Sequence, residues 1–597
     1  MPDLSRRRAL KLSSTSLLAA LAGCGGRTGE AKNTSTSESA TETGGPTTEE
    51  SAVQTEFSLE ESALLKGGEL VVTGRVENTG SSSTEVTLPL AVNGRTITTH
   101  SFTLGAGEQR EITLTGSPTT TGTQPITVAG THVGEVVVRA ERPDIVRDVG
   151  AHYYPWYGAP LHDYRGGEWS LESPSTPVLG NYDSTNPDVI EQHIDWCRQA
   201  GISWLNVSWW GRNSGHDRRF REDILGHPRS DELDWSVLYE TVGQFGVDPI
   251  DLSDETNQRQ LVNDFEYLGE HYFDRDSYKR IDGRPVLYIW VARLFHGDVA
   301  AAYEAAVEAA GVRPYLIASV PAASGLGTHP ILEVADAVTT YNPYTVSGRT
   351  ADEFIDDLQS GYEKWYRSSE YVGVDVIPTA MPGFDDTELT HDQRDNVPLE
   401  PSAERYERSA DVARHYADGP VLVTSFNEWY EDTAIEPSED HGEAYLDVTA
   451  EALAAAERSP PTIDGETFVL SFGKLIAESE MNPDIENGRQ FSFMLDELTI
   501  RDDDGQARID LDVGTGSETV EFLLGSYGPE STEENTWRWL GGQRDTAIDV
   551  PSLPDAGEIE ISGLAPAEMD VALKVDGDVH DKTTLAEGSG SYRLELG

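Results

Sequence analysis

Two glutamates three residues apart, Glu428 and Glu431, stand in the segment Ser425-Phe-Asn-Glu-Trp-Tyr-Glu-Asp-Thr-Ala-Ile-Glu-Pro437. Trp429 and Tyr430 lie between them, and the apolar run Val421-Leu-Val-Thr424 precedes them. A carboxylate pair at the end of a strand, with aromatic rings beside it, has the residue types that glycosidic bond cleavage requires. One carboxyl protonates the leaving oxygen, and the other acts as base or nucleophile. The competing reading is a solvated acidic loop. The chain carries 44 Lys and Arg against 104 Asp and Glu, a formal charge of −60, so a single acid is weak evidence of a site.

Such a pair needs a rigid support, and residues 143–459 predict one. Strand-like runs at Val149–Tyr154, Ser203–Trp209, Ser236–Glu240, Val286–Val291, Tyr315–Val320, Ala337–Tyr341, Val374–Ala380 and Val421–Ser425 are interleaved with amphipathic stretches. These stretches are Pro187–Ala200, Asn257–Tyr272, Val299–Ala310, Ala351–Ser368 and Ala403–Ala417, with Glu443–Glu457 closing the set. Eight strands alternating with helices over this length predict a (β/α)8 TIM barrel, in which chemistry sits at the C-terminal ends of the strands. The predicted strand ends carry one kind of chemistry. His152-Tyr-Tyr-Pro-Trp-Tyr-Gly158, Ser208-Trp-Trp-Gly211, Tyr239-Glu240, Thr340-Tyr-Asn-Pro-Tyr344 and Ala380-Met-Pro-Gly-Phe-Asp385 offer rings and acids beside the glutamate pair. Rings stack on the apolar faces of sugars while carboxylates and amides hold hydroxyls. The candidate substrate-binding residues are Tyr153, Tyr154, Trp156, Trp209, Trp210, Glu240, Tyr341, Tyr344, Asn427 and Trp429. For any one aromatic, core packing is the competing reading.

His152-Tyr-Tyr-Pro-Trp-Tyr157, the Ser-Trp-Trp-Gly at 208–211, Met381-Pro-Gly-Phe-Asp385 and Asn427-Glu-Trp-Tyr-Glu431 with Ile435-Glu-Pro437 together resemble glycoside hydrolase family 99. The resemblance covers roughly residues 148–457. It implies a retaining endo-acting glycosidase of the endo-α-mannosidase and endo-α-mannanase kind, working on an oligosaccharide or polysaccharide without metal or cofactor. It implies that Glu428 deprotonates the sugar 2-hydroxyl, which closes onto the anomeric carbon as a 1,2-anhydro intermediate. It makes Glu431 the acid/base, Glu240 an acid holding substrate beside the reacting carbon, and Tyr341 or Tyr344 the source of a ring hydroxyl there. Tyr430 and Asp432 depart from the family pattern of His and Gly, and Asp432 is expected to raise the pKa of Glu431 or to mark a different substrate. Commoner retaining barrels place an acid/base after strand four, and Ile289-Trp-Val-Ala-Arg293 has no carboxylate there. Two rival readings use the same residues: a non-catalytic glycan-binding surface lipoprotein, and a transglycosylase of surface glycan assembly.

The flanks are of another class. Residues 56–142 and 460–597 alternate with period two between turn signals such as Asn93-Gly94 and Asp502-Asp-Asp-Gly505, which predicts an all-β sandwich on each side of the barrel. Trp537-Arg-Trp539 reads equally as a sugar-stacking pair or as core. At the N-terminus, Ser5-Arg-Arg-Arg-Ala-Leu-Lys-Leu12 resembles a twin-arginine export signal and Leu21-Ala-Gly-Cys24 a lipobox, so residues 1–24 are expected to be a signal peptide with Cys24 the lipid attachment point. Residues 25–55 are Ser, Thr, Gly and Glu-rich and are expected to be a disordered tether. The expectation is a lipoprotein held at the extracellular face of the membrane. Cys197, on a predicted helix face with Ile190 and Ile194, reads as a buried small hydrophobe. Acidity spread along the whole chain resembles that of salt-adapted archaeal proteins and excludes nucleic acid as a partner, because no basic stripe exists.

Overall fold

The computed structural model describes residues 53–597 apart from 60–62, 121, 140–147, 159–168, 170–172, 247–248, 323–325, 327–328, 345–352, 388–396, 418, 457–460, 462–464, 483–488, 514–519 and 533–534. The signal, lipobox and most of the tether expected at residues 1–55, Cys24 among them, lie outside the described residues.

The middle of the chain forms a parallel sheet rolled into a TIM-barrel-like fold. Its strands in order are Val149–Tyr153, Trp204–Trp209, Asp234–Tyr239, Arg284–Ile289, Tyr315–Ser319 and Ala337–Thr339, then strand seven in two pieces, then Val421–Val423. Each pairs in parallel with the next, and the eighth pairs with the first through Val421 opposite Val149. Strand seven, expected as one run, is broken. Asp375–Val376 pairs with strand six, and Thr379–Ala380 pairs with strand eight. Pro378 sits at the break. It has no N–H to give to a ladder, while its carbonyl still accepts from Leu422.

Period-two alternation decides what each strand shows to either side. Trp204, Leu238, Val286, Tyr288, Ile317, Ala337, Ile377 and Leu422 pack together as a core inside the barrel. The residues between them, such as Leu205, Val207, Val237 and Leu287, pack outward in a second cluster shared with the helices. Gly150 is where the first strand passes the Trp204 indole. A Cβ there would lie 2.2–2.7 Å from three atoms of the ring system. Gly150→Ala is therefore expected to destabilise the fold by about 1–3 kcal/mol through overpacking, read from denaturant unfolding.

The helices follow their end signals. Pro187–Ala200 starts after Asn186, whose side chain accepts from the Asp188 N–H, and stops at Gly201 with φ 71°. Its inner face buries Ile190, Ile194 and Cys197, and the cysteine is a free, buried thiol. Val299–Ala310 and Ala403–Tyr416 form as the periodicity predicts. The stretches expected at 257–272 and 443–457 each change to a wider helix in the last part, at Gly269–Phe273 and Thr449–Ala454.

Mainly antiparallel sheets lie on both sides of the barrel in sequence, with one parallel pair, Ala63–Leu65 beside Thr131–Arg139, in the N-terminal part. The N-terminal strands form a three-stranded and a five-stranded sheet with one buried core. Asn93 and Gly94, at φ 47° and 75°, turn the hairpin Thr84–Val92 to Arg95–Leu104. The C-terminal strands form five- and seven-stranded sheets around a second core. There Asp502 to Gly505 turn the hairpin between Gln490–Asp502 and Ala507–Asp512. Trp539 is buried and stacked on Phe491, which settles that half of the Trp-Arg-Trp motif as core. The C-terminal part is fixed to the barrel by Arg367 of helix Phe354–Val372, which pairs with Glu521 at 2.7 Å and with Asp549, and by Leu523, Leu524 and Ala547, which join the barrel's outer core. Lys66 pairs with Glu443 on the opposite flank.

Candidate active site

The site follows from the parity of the strands. On the first strand Gly150 and His152 point inward and Val149, Ala151 and Tyr153 point outward, so the next inward residue is Tyr154. The same count on strand two selects Trp204, Asn206 and Ser208, on strand three Glu240, on strand four Tyr288 and Trp290, and on strand six Tyr341. A polar layer closes the floor: Asn206 donates from Nδ2 to His152 Nδ1 at 3.1 Å and accepts from Ser236 Oγ at 2.8 Å. The His152 ring lies 4.9 Å from that of Tyr288 and 5.2 Å from that of Tyr341, and burial holds its pKa down to about 3, so it is neutral.

Above this floor strand eight ends and the chain turns back on itself. Ser425 and Thr433 are joined by N–H to carbonyl and by their hydroxyls, and the Glu428 N–H donates to Ser425 Oγ at 2.7 Å. The turn Trp429–Glu431 is 3-10, with three residues per turn, which brings residues i and i+3 to one side. The three-residue spacing of Glu428 and Glu431 thus has a geometric meaning. Glu428 is 3 % exposed and accepts from the Tyr430 N–H at 3.1 Å. Glu431 is half-buried and accepts from the Tyr341 hydroxyl at 3.0 Å, and Tyr341 in turn accepts from the Tyr154 hydroxyl at 2.7 Å. Glu240 is buried and accepts from Ser208 Oγ at 2.7 Å, and Ser208 accepts from the Trp210 indole at 2.9 Å. Trp156 stacks on Tyr154 at 4.5 Å, and the Trp290 and Tyr341 rings meet edge to face at 6.4 Å.

Three carboxyls in one enclosed space cannot all be charged. Burial raises Glu240 to about 8, with Glu431 adding to the effect. Burial also lifts Glu428 well above the ordinary carboxylate range, followed by repulsion from Glu431 and then Glu240. At neutral pH Glu240 keeps its proton, and burial favours the protonated form of Glu428 as well. Among the described residues no group of three His, Cys, Asp or Glu is placed to hold a metal ion.

Tyr154, Trp156, Trp210, Glu240, Tyr341, Glu428 and Glu431 are thus brought together. Five expected substrate contacts are elsewhere. Tyr153 and Trp209 point outward: the Tyr153 hydroxyl bonds His193 Nδ1 at 3.0 Å, and the Trp209 indole donates to Asp217 at 2.9 Å. Tyr344 donates to the Val397 carbonyl at 2.5 Å and packs on Phe354 and Phe384, whereas Tyr341 is the one of the two that bonds Glu431. Trp429 is buried, its indole N–H donating to Glu436 at 3.0 Å. Asn427 spends its amide on the Tyr154 backbone, accepting from N–H at 2.8 Å and donating to the carbonyl at 3.0 Å. Asp432, the position that differs from the family pattern, lies at the end of the turn. It sits at φ 50°, accepts from Ser175 Oγ at 2.7 Å and faces Asp385, His441 and Asp440. Ser208, Trp290 and the His152 floor were missed, although strand parity identifies all three.

Residues 169–451 match the model of Glycosyl hydrolase family 99. The protein is a glycoside hydrolase. The matched segment of this glycoside hydrolase holds strands two to eight with Glu240, Tyr341, Glu428 and Glu431, while Tyr154 and Trp156 precede it. The chain is 25 % identical over 349 residues to a glycoprotein endo-alpha-1,2-mannosidase of Rattus norvegicus, covering 51 % of this chain and 72 % of that protein. A glycoprotein endo-alpha-1,2-mannosidase-like protein of Homo sapiens is 24 % identical over 348 residues, at 51 % and 72 % coverage. Among solved structures, the GH99 endo-alpha-mannosidase of Bacteroides thetaiotaomicron aligns at 20 % identity with a TM-score of 0.40, over 51 % of this chain and 96 % of that one.

Proposed function

We propose that this glycoside hydrolase is a retaining, endo-acting enzyme that cleaves α-mannosidic or closely related linkages through a 1,2-anhydro sugar. The observation that carries the reading is the arrangement of Glu428 and Glu431 on one 3-10 turn, with the Tyr154–Tyr341 hydroxyl chain ending on Glu431. The reaction needs one proton on the pair, on Glu431 toward the leaving oxygen, with Glu428 ionised toward the sugar 2-hydroxyl; burial favours the proton on Glu428 in the empty site, so it passes to Glu431 as substrate binds. Glu428 takes the 2-hydroxyl proton as O2 closes on C1, and Glu431 gives its proton to the departing oxygen. Glu431 then takes a proton from water, whose oxygen opens the ring at C1, and Glu428 returns its proton to O2. Two inversions leave the configuration retained. Desolvation makes ionised Glu428 a stronger base than an exposed carboxylate, and the Tyr430 N–H steadies its charge. Protonated Glu240 is a hydrogen-bond donor to a substrate oxygen.

Incubation with α-mannans at high salt, with the anomer of the first product read by NMR, tests this reading. Release of α-configured internal oligosaccharides supports it. Product of inverted configuration, or no release from any α-mannoside, overturns it. Tyr341→Phe removes the donor to Glu431 and is expected to lower kcat about 3-fold to 10-fold, the size of one neutral hydrogen bond. Tyr344→Phe is expected to leave kcat within about twofold, in the same initial-rate assay. We further propose that residues 56–142, 143–459 and 460–597 are separate units, and that Cys24 carries a lipid holding the barrel outside the cell. Among the described residues no helix is long and apolar enough to cross a membrane.

A further inference from the structure

Behind the catalytic turn lies a second buried carboxylate, which the proposed chemistry does not use. Glu436 has a fully buried side chain and accepts three hydrogen bonds: from the Tyr182 hydroxyl at 2.7 Å, the Trp429 indole at 3.0 Å and His193 Nε2 at 3.2 Å. The hydrogens can be assigned without conflict. Tyr153 donates to His193 Nδ1, so Nε2 carries the imidazole proton and gives it to Glu436. A buried carboxylate with three donors is satisfied, whereas the same carboxylate short of one is costly.

What the three donors touch gives the network a direction. Trp429 stands between Glu428 and Glu431, and its backbone N–H is held by the Tyr157 hydroxyl at 3.0 Å. Tyr182 accepts from Asn427 Nδ2 at 3.3 Å, and Asn427 is the residue before Glu428. Glu436 itself closes the loop, its N–H donating to the Phe426 carbonyl at 2.8 Å. One carboxylate therefore fixes the turn on both sides of Glu428, by side chains that are themselves buried. Resting on the reading above, we infer that Glu436 is a positioning residue of the hydrolytic reaction: by holding Trp429 and, through Tyr182, Asn427, it sets the direction of the Glu428 and Glu431 carboxyls.

The molecule supplies its own control. Asp217 is a fully buried carboxylate that also accepts from an indole and two phenols, Trp209 at 2.9 Å and Tyr267 and Tyr272 at 2.6 Å each, but in the outer layer with no link to the catalytic turn. Glu436→Gln and Asp217→Asn each keep shape and replace an acceptor oxygen by an amide, so one donor in each site meets another donor. Both variants of the full chain are expected to lose thermal stability. Only Glu436→Gln is expected to lower kcat, about 10-fold to 100-fold with KM within about twofold, because small misplacement of reacting groups costs that much. Hydrogen exchange followed by mass spectrometry gives a reading that needs no turnover. The peptide spanning 425–436 is expected to exchange at least about 10-fold faster in Glu436→Gln than in the parent, and at the parent's rate in Asp217→Asn. Unchanged exchange in that peptide, or equal loss of kcat in both variants, overturns the inference. A parent inactive on every α-mannoside overturns the substrate reading instead, and the exchange result still decides the role of Glu436.

Discussion

Turnover of an α-mannan by either Glu428→Gln or Glu431→Gln is expected to fall by about three orders of magnitude, within the range that a positioned acid or base contributes. Both glutamines preserve the shape of the 3-10 turn, and each leaves the Tyr430 N–H or the Tyr341 hydroxyl an oxygen to bond. Fold and stability should therefore survive. The two variants should part company on a substrate whose leaving group needs no proton, such as an α-mannosyl fluoride. Glu431→Gln is then relieved of its first duty, and fluoride release should recover to within about tenfold of the parent. Glu428→Gln gains nothing, because the 2-hydroxyl still lacks a base. Equal recovery in both, or recovery in Glu428→Gln alone, would reverse the roles. Near-normal turnover of mannan by either would remove the pair from the mechanism.

The second large effect is thermodynamic and concerns Glu240. Its carboxyl titrates near 8 in the fold against 4.5 for an unperturbed glutamate. Below pH 4.5 folded and unfolded chains both hold the proton and burial costs nothing. As pH rises from 4.5 to 8 the unfolded chain ionises while the folded one does not, so stability is lost at about 1.4 kcal/mol for each pH step, reaching about 5 kcal/mol at pH 8 and staying there. Glu240→Gln abolishes this loss and can still accept from Ser208. The variant should match the parent in denaturant unfolding near pH 4.5 and exceed it by several kcal/mol at pH 8.5, while losing activity at both. A stability gap that does not change with pH would show that Glu240 is ionised in the fold. The parent's own rate should fall above pH 8, as Glu240 ionises beside the negative charge already held by the Glu428 and Glu431 pair.

Much of this was legible in the sequence. The eight strands, the main helices and the Asn93-Gly94 and Asp502–Gly505 turns follow from period and turn chemistry, because those signals are local. Strand seven was read as continuous because Pro378 lies in an apolar run, and only the pairing shows that one side of the strand ends where the other begins. At the site, the acids came out better than the aromatics. Tyr153 and Trp209 are strand-end aromatics like Tyr154 and Trp210, yet neighbouring residues on a strand face opposite sides. Parity counted from His152 and Trp204 sets both outside the site and brings in Ser208, and the same count from Tyr288 on strand four brings in Trp290. Trp429, Asn427 and Tyr344 could not be sorted this way. They lie past the strand ends, where the direction of a side chain is set by partners such as Glu436, Tyr154 and Val397 that are distant in sequence or in another loop.

Asn427 gives the catalytic turn an uncommon mechanical character. Its amide takes the N–H and the carbonyl of Tyr154, the two bonds that a neighbouring strand would make there, so a side chain adds one more rung to the ladder between strands eight and one. The turn that bears both carboxylates is thereby stitched into the barrel wall. Substrate arriving at this mouth meets an acid and a base whose shared turn was set when the barrel closed.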